Sequence, residues 1–157
     1  GVVLVPAFTG LGAPHWDSDA RALLCGMSRG TNKAHIARAA LESIAFQVSD
    51  VLTAMQSDIA HPLKELRVDG GASRNDMLMQ FQADILNVPV LRPKMLESTA
   101  WGAAAMAGLK AGVFSSLSEV SESWHLDRAF EPNMQADQRQ NRLNQWQTAL
   151  KRTRSDI

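Results

Sequence analysis

The feature that most limits the fold of this chain is a strand that runs directly into two glycines and then into a helix. Residues 65–68 alternate like a short strand, and Asp69-Gly70-Gly71 follows them. Residues 75–86 then carry leucine, phenylalanine and isoleucine at the spacing of one helix face. A strand, a glycine turn and a helix in this order form a βα unit, and such units build parallel sheets.

The rest of the sequence continues this alternation of strand and helix. His61-Pro62 breaks the chain before the strand at 65–68, and residues 112–134 are predicted to be irregular or short-helical. The pattern as a whole predicts an α/β fold with some parallel sheet. Further strands are predicted at residues 2–5, 22–27 and 88–91, and further helices from Lys33, at 99–111 and at 135–152.

The helix that begins at Lys33 carries two apolar stripes. The first consists of Ile36, Ala40, Ile44, Val48, Leu52 and Met55. Leu41 and Ala45 add the second stripe, so this helix is predicted to be covered on two sides. Thr31 or Asn32 is predicted as its N-cap.

Composition excludes several classes of protein. The chain has 157 residues, 45% of them hydrophobic, with 16 Lys+Arg against 16 Asp+Glu and one cysteine. These values predict one globular domain and exclude a disordered tail or a disulfide-rich secreted mini-protein. Balanced charge gives no reason to expect nucleic acid as a partner, and no apolar run approaches the roughly 18 residues of a membrane span. The single cysteine favours a reducing cytoplasm.

The first residues of the chain are unusual for a protein terminus. The sequence opens on Gly1-Val2-Val3-Leu4-Val5, without an initiator Met or leading polar residues. Terminal residues are usually polar and frayed, whereas this run predicts a buried strand. We therefore expect the chain to be a piece of a longer protein.

The glycine turn is the strongest candidate for a binding site. Two glycines let the backbone approach a ligand, and the free amides at the following helix N-terminus favour a phosphate or another anion. Asn75 fits two roles, as a cap of the helix or as a hydrogen-bond partner of a base or ribose. The turn also fits a structural role in which the glycines supply positive φ and Asn75 only caps. It is neither a P-loop nor a dinucleotide fingerprint, because the further Gly and Lys of those motifs are missing.

Other reactive side chains are predicted to be structural. Asp17 and Asp19 lie two residues apart in a Gly- and Pro-rich loop, where capping is more typical than paired catalysis. Cys25 lies in an apolar stretch and is predicted to be a core residue. Glu42 is predicted to pair with Arg38 or a backbone group, with a functional carboxylate as the alternative. The histidines lack metal-ligand spacing, so no protein metal site is predicted.

Several segments together carry a resemblance to a known family. The chain resembles the C-terminal part of the glycerol kinases, which are FGGY carbohydrate kinases, from about residue 2 to Lys151. The AFTGLGAPHWD loop separates glycerol kinases from related sugar kinases such as xylulokinases, whereas the DGGA turn indicates only the superfamily. One departure is Trp101, where the family usually has Leu. The matching stretches are VPAFTGLGAPHWDSDAR at 5–21, GMSRGTNKAHIARAALESIAFQ at 26–47, RVDGGASRNDMLMQFQADIL at 67–86 and STAWGAAAMAGLKAG at 98–112.

The resemblance implies an actin-like, ribonuclease-H-type ATPase fold. Residues 1–157 are then a partial C-terminal FGGY domain that lacks its opening strands, and the N-terminal substrate domain is absent. The small-residue helix at 99–111 is implied to pack behind the nucleotide pocket. The implied nucleotide-binding residues are Gly70, Gly71, Ala72, Ser73, Arg74 and Asn75.

The function implied is that of a cytoplasmic, ATP-dependent glycerol kinase, a homo-oligomer that makes sn-glycerol 3-phosphate. The aspartate general base, the glycerol contacts and most of the Mg²⁺ site lie upstream in the family, so no catalytic or metal residue is assigned here. The isolated chain is therefore expected to be inactive. Two alternatives stay open: a non-catalytic nucleotide-binding or oligomerisation module, and a kinase of another polyol or sugar.

Overall fold

The computed structural model describes residues 1–58 and 62–155, and His61, predicted to break the chain, lies outside the described residues. Strands and helices alternate along the described chain, which confirms the predicted α/β class. The elements are β1 Val3–Val5, β2 Leu23–Cys25, α1 Lys33–Asp58, β3 Leu66–Arg67, a 3-10 helix Gly71–Arg74, α2 Asp76–Leu86, β4 Val90–Pro93, α3 Ser98–Ala111, α4 Leu117–Glu122, β5 Leu126–Phe130 and α5 Ala136–Thr153.

The strands form two small sheets. β1 pairs with β2 in antiparallel register, and a second sheet has the order β3-β4-β5. Within it, β3 and β4 run parallel, with Leu66 opposite Val90, and α2 connects them. This β3–α2–β4 unit is the predicted parallel pair, and it places the glycine turn at the carboxyl end of β3.

β5 corrects the prediction for residues 112–134. α4 agrees with the predicted short helix, but Leu126–Phe130 forms a strand antiparallel to β4. Its first four residues are exposed and Phe130 alone is buried, opposite Val90. Charged side chains at Asp127 and Arg128 are typical of an edge strand and hide the alternation that reveals a half-buried one.

Aromatic rings join the helices at the centre of the core. Phe46 of α1 stacks on Trp146 of α5 with ring centroids 5.1 Å apart, and it meets Phe81 of α2 edge-on at 5.4 Å. Leu78 and Ile85 of α2 are buried beside them, which confirms the predicted core face of that helix. Of these helices, α1 and α5 also pack against β1, whose Val5 is fully buried.

The burial of α1 differs from the prediction. Its first stripe is largely uncovered in this chain, because Ile36, Ile44 and Met55 are 39%, 41% and 49% exposed. The buried side carries mostly small or polar residues, which let α2 and β1 approach closely. The prediction that α1 is covered on two sides is therefore wrong for the described chain. Periodicity shows that a helix face is apolar, but it does not show whether another element packs against that face. The buried residues are Ala39, Glu42, Ser43, Ala45, Phe46 and Ser49.

α3 is mostly exposed in the described part of the chain. Ala105 is its one buried residue, so the implied packing of this helix behind a nucleotide pocket stays a prediction. Gly108 lies under the ring of Phe114, which in turn meets Trp101 edge-on at 6.0 Å. Trp101 thus has an aromatic partner. None of the helices described here combines the length and hydropathy needed to cross a bilayer.

Candidate functional site

The glycine turn begins directly after β3. Gly70 has φ 78° and ψ 173°, a backbone conformation that is essentially restricted to glycine. Its N–H donates to the carbonyl of Leu96 at 2.8 Å, which ties the turn to the segment before α3. The predicted need for positive φ is therefore confirmed at this first glycine.

The second glycine has a different role. Gly71 lacks a positive φ, and a Cβ placed on it would meet no atom within 4 Å. The protein's own packing therefore does not require glycine there. The N–H groups of Gly71 and Ala72 form no hydrogen bond within the described residues, and both residues are exposed. Two adjacent free amides of this kind suit an anionic or hydrogen-bonding ligand.

Ser73 and Arg74 face opposite environments. Ser73 is 1% exposed, and its hydroxyl donates to the Gly70 carbonyl at 2.7 Å, so this side chain supports the turn from beneath. Arg74 is exposed, and its guanidinium has no hydrogen bond or ion pair among the residues that the structure describes. Only Arg74 of the two therefore offers its side chain to a ligand.

Asn75 performs the capping role that the sequence left open. Its Oδ1 accepts from the Leu78 N–H at 3.1 Å, which satisfies one free donor at the start of α2. Its Nδ2 group makes no hydrogen bond in the described part of the chain. The cap is thus confirmed, and the side-chain amide keeps its donors for the predicted contact with a nucleotide.

Two arginines neutralise the first acidic residue of α2. Arg92 Nη1 and Arg128 Nη1 donate to the two oxygens of Asp76 at 2.7 and 2.6 Å. The hydrogen bond from Arg92, with the positive charges of Arg128 and Arg92, lowers the pKa of the Asp76 carboxyl. Asp76 is therefore ionised and paired at neutral pH, which limits its repulsion of an anion at the turn.

The other candidate carboxylates are structural. Asp17 accepts from the backbone N–H groups of Asp19 and Ala20 at 3.1 and 2.9 Å, which confirms the predicted capping role. Glu42 is 4% exposed and accepts from Arg38 Nε at 2.8 Å and from Arg142, so its predicted pairing is confirmed. Both carboxylates are occupied by protein donors.

Two further features concern metals and the thiol. Cys25 is partly buried and packs against the core cluster, in agreement with its predicted place. Across residues 1–58 and 62–155, no three His, Cys, Asp or Glu side chains lie close enough together to hold a metal ion. These residues therefore do not form a Mg²⁺ cage of their own.

These elements define an α/β domain with a parallel βα unit, whose glycine turn leaves two backbone amides free. Residues 1–111 match the FGGY family of carbohydrate kinases, C-terminal domain. The chain belongs to this family.

Individual relatives agree with the family. The chain is 81% identical over 157 residues to the glycerol kinase of Acinetobacter baylyi and 61% identical over 155 residues to that of a Janthinobacterium species. The two alignments include 100% and 99% of this chain, but only 32% and 31% of the respective relatives. The chain thus spans about a third of the length of the curated relatives it matches.

Solved structures share the fold. A crystal structure of Plasmodium falciparum glycerol kinase with ADP matches with a TM-score of 0.86 and 40% identity, over 99% of this chain and 31% of that one. A xylulose kinase from Rhodospirillum rubrum matches with a TM-score of 0.73 and 28% identity, over 98% of this chain and 30% of that one. These neighbours are FGGY sugar kinases, which confirms the predicted actin-like ATPase fold.

Sequence reasoning missed one residue at the turn. Arg92 donates to the Ser73 carbonyl at 3.0 Å and so contacts the turn directly. Its partners lie 16, 19 and 35 residues away along the chain, a separation that no local motif reveals. One signal in the sequence could have indicated a paired role for Arg92: it is a charged residue in the otherwise apolar strand Val90–Pro93.

Proposed function

We propose that this chain is the ATP-binding, C-terminal part of a cytoplasmic glycerol kinase. In this reaction the γ-phosphoryl group of ATP passes to a glycerol hydroxyl, which gives ADP and sn-glycerol 3-phosphate. The observation that carries the proposal is the 81% identity to a glycerol kinase over the whole chain, against 28% to a xylulose kinase of the same fold. That contrast favours glycerol over a sugar as the acceptor.

The turn supplies the nucleotide contacts in this proposal. The amides of Gly71 and Ala72 and the side-chain donors of Asn75 bind the nucleotide, and Arg74 adds positive charge near its phosphates. Gly70 and Ser73 shape the turn without offering side-chain donors. The support is geometric: these amides and the Asn75 Nδ2 are free, whereas the donors beneath the turn are occupied.

Mg²⁺ belongs to the proposal as the ion that accompanies ATP. Mg²⁺ usually keeps several waters and binds phosphate oxygens with one or two carboxylates. The family resemblance implies that most of the Mg²⁺ site lies upstream, so we assign no ligand here and place the Mg²⁺ contacts in the remainder of the kinase. Residues 1–157 accordingly serve as a C-terminal FGGY domain without a catalytic residue of their own.

A titration of the chain with Mg·ATP, followed by backbone amide NMR, tests the nucleotide site. We expect shifts concentrated at the signals of residues 70–75. A separate cavity of about 370 Å³, lined in part by Trp101 and Trp124, is the alternative binding site that this experiment must exclude. Shifts at those two indole N–H signals instead, or no shifts at all, would contradict binding at the turn.

Two substitutions separate ligand contact from folding. Asn75→Asp keeps an oxygen acceptor for the α2 cap but removes the Nδ2 donors, so we expect weaker ATP binding and unchanged helix stability. Gly71→Ala adds a methyl group where the protein leaves open space, and it should weaken binding because the ligand needs that space. Gly102→Ala is the matched control, since its Cβ also meets nothing within 4 Å. Equal losses in all three variants would argue against ligand contact.

A second candidate role, homo-oligomerisation, is favoured by the exposed stripe of α1. Ile36, Ile44 and Met55 leave an apolar strip uncovered on this chain, and such strips commonly mark protein contacts. We propose that a second copy of the chain covers it. Sedimentation velocity should show association that Ile44→Glu weakens and that Gln47→Glu, a charge of the same kind on an exposed residue, leaves unchanged. A monomer at all concentrations would contradict this role.

A further inference from the structure

Arg92 connects the glycine turn to the sheet. It lies on β4 with its side chain 12% exposed. Nη1 donates to the Ser73 carbonyl at 3.0 Å and to Asp76 Oδ1 at 2.7 Å, while Nε donates to Asp127 Oδ2 at 2.9 Å. One guanidinium group therefore holds the 3-10 helix, the first turn of α2 and strand β5 at the same time.

The surroundings of Arg92 leave its guanidinium little freedom. It forms ion pairs with Asp76 of α2 and Asp127 of β5, and its Cζ lies 5.3 Å from the ring centroid of Phe130. These carboxylates, Asp76 first, raise the pKa of Arg92, so its guanidinium is charged at neutral pH. A planar, rigid fork of this kind fixes the direction of each hydrogen bond that it donates.

We propose that Arg92 is a positioning residue for the nucleotide-binding turn. By holding the Ser73 carbonyl, it sets the direction in which the Gly71 and Ala72 amides point before a ligand arrives. The inference rests on the proposed function, because it assigns Arg92 a role at the site that binds ATP. Arg92 itself faces its protein partners and is not assigned a contact with the nucleotide.

Preorganisation of this kind changes affinity in a predictable direction. A turn that is already ordered loses less conformational freedom on binding, so its ligand binds more tightly. Lysine at this position keeps the charge, but one ammonium group cannot reach Ser73, Asp76 and Asp127 with the same geometry. We therefore expect Arg92→Lys to weaken ATP binding by about tenfold, because a charged hydrogen bond that orders the turn is lost.

Arg128→Lys is the matched control. Arg128 also pairs with Asp76, at 2.6 Å, and also lies over the Phe130 ring, at 4.7 Å. It makes no hydrogen bond to the backbone of the turn in the described structure. Both variants keep the positive charge but lose a guanidinium hydrogen bond to Asp76, whereas loss of the Ser73 contact affects Arg92→Lys alone. We expect Arg128→Lys to change ATP affinity less than twofold.

The experiment measures ATP affinity by calorimetry and the ligand-free turn by NMR in the wild-type chain and both variants. In Arg92→Lys, the amide signals of residues 71–75 should shift or broaden and exchange faster with solvent. The indole N–H signal of Trp146, buried in the core, should not move, which shows that the fold is intact. A merely structural role for Arg92 would instead disturb the core signal together with the turn.

The outcomes separate this inference from the proposed function. Wild-type binding with equal affinity in Arg92→Lys overturns the positioning role and leaves the proposed function standing. A wild-type chain that binds no ATP contradicts the nucleotide site itself. In that case the ligand-free spectra still decide the role of Arg92, because unchanged turn signals in Arg92→Lys overturn it without any ligand.

Discussion

Asp17 joins the loop after β1 to the segment that follows α5. Its two oxygens accept from the backbone N–H and the hydroxyl of Ser155, each at 2.7 Å. These bonds, with the backbone amide of Ser155 contributing most, lower the pKa of Asp17 from 3.8 to about 2. Because the folded-state pKa is depressed, this stabilisation is complete above the unfolded pKa and is lost as the pH falls through about 2.

Thermal unfolding of Asp17→Asn and the wild-type chain measures this effect. We expect the wild-type chain to have the higher Tm above about pH 5 and the difference to shrink between about pH 4 and pH 2. Asp19→Asn is the control, since the Asp19 carboxylate accepts no hydrogen bond among the described residues. A difference in Tm for Asp17→Asn that stays constant across this range would show that the Ser155 contacts do not depend on ionisation.

Local and distant contacts differ in how well the sequence predicts them. The capping role of Asp17 was predictable, because its partners at Asp19 and Ala20 follow it within three residues in a turn-forming loop. The hydrogen bonds between Asp17 and Ser155, which lie 138 residues apart, were not predictable. The same holds at the glycine turn, where Asn75 was recognisable as a cap but the hydrogen bond from Arg92 depends on how the sheet brings β4 beside the turn.

At the scale of elements, α3 contains two glycines with opposite surroundings. A Cβ on Gly108 would lie 2.8 Å from Cδ2 of Phe114, whereas one on Gly102 meets no atom within 4 Å. Alanine is the better helix former by about 1 kcal/mol, so Gly102→Ala should stabilise the chain by up to that amount. Gly108→Ala gains the same helix propensity, but its methyl group displaces the Phe114 ring. Such overpacking typically costs about 1–3 kcal/mol of stability, so this variant should be neutral or destabilised.

Urea unfolding of the two variants gives the comparison directly. The expected order of unfolding free energy is Gly102→Ala, then wild-type, with Gly108→Ala equal to or below wild-type. Adding Phe114→Leu to Gly108→Ala should recover part of any loss, because the smaller side chain leaves room for the new methyl group. Equal stabilisation by both single substitutions would mean that Phe114 does not pack on Gly108.

Elements were predictable where apolar residues recur at helical spacing. In α2, Leu78 and Phe81 have this spacing and are buried as predicted. Polar Asp84 is buried as well, because α2 contacts several elements, and periodicity did not reveal this. α1 carries an apolar stripe through Ile44 that is largely exposed among the described residues, and its buried side contains Glu42, which pairs with two arginines. Periodicity indicates how many faces are apolar. It does not indicate which of them finds a partner.

At the scale of the whole molecule, the fold class followed from the order of the elements, but the extent of the site did not. The strand, glycine turn and helix predicted a parallel βα unit, which is present, and a ligand-binding turn, which stays a prediction. The described residues offer free amides and positive charge at this turn, whereas the proposed phosphoryl transfer also needs an acceptor held in line with the nucleotide. The turn therefore accounts for only part of the proposed reaction.

This partial site leads to a prediction about turnover. Phosphoryl transfer depends on holding the acceptor in line with the γ-phosphate and on stabilising the charge that develops there. Since the chain corresponds to about a third of its glycerol kinase relatives, we expect the purified 157-residue chain to form no sn-glycerol 3-phosphate from Mg·ATP and glycerol above background. An assay coupled to ADP release measures this, and ATP binding by the same preparation shows that the chain is folded. Product formation that rises with protein concentration, and that Gly71→Ala reduces, would contradict the prediction and place the acceptor site within these residues.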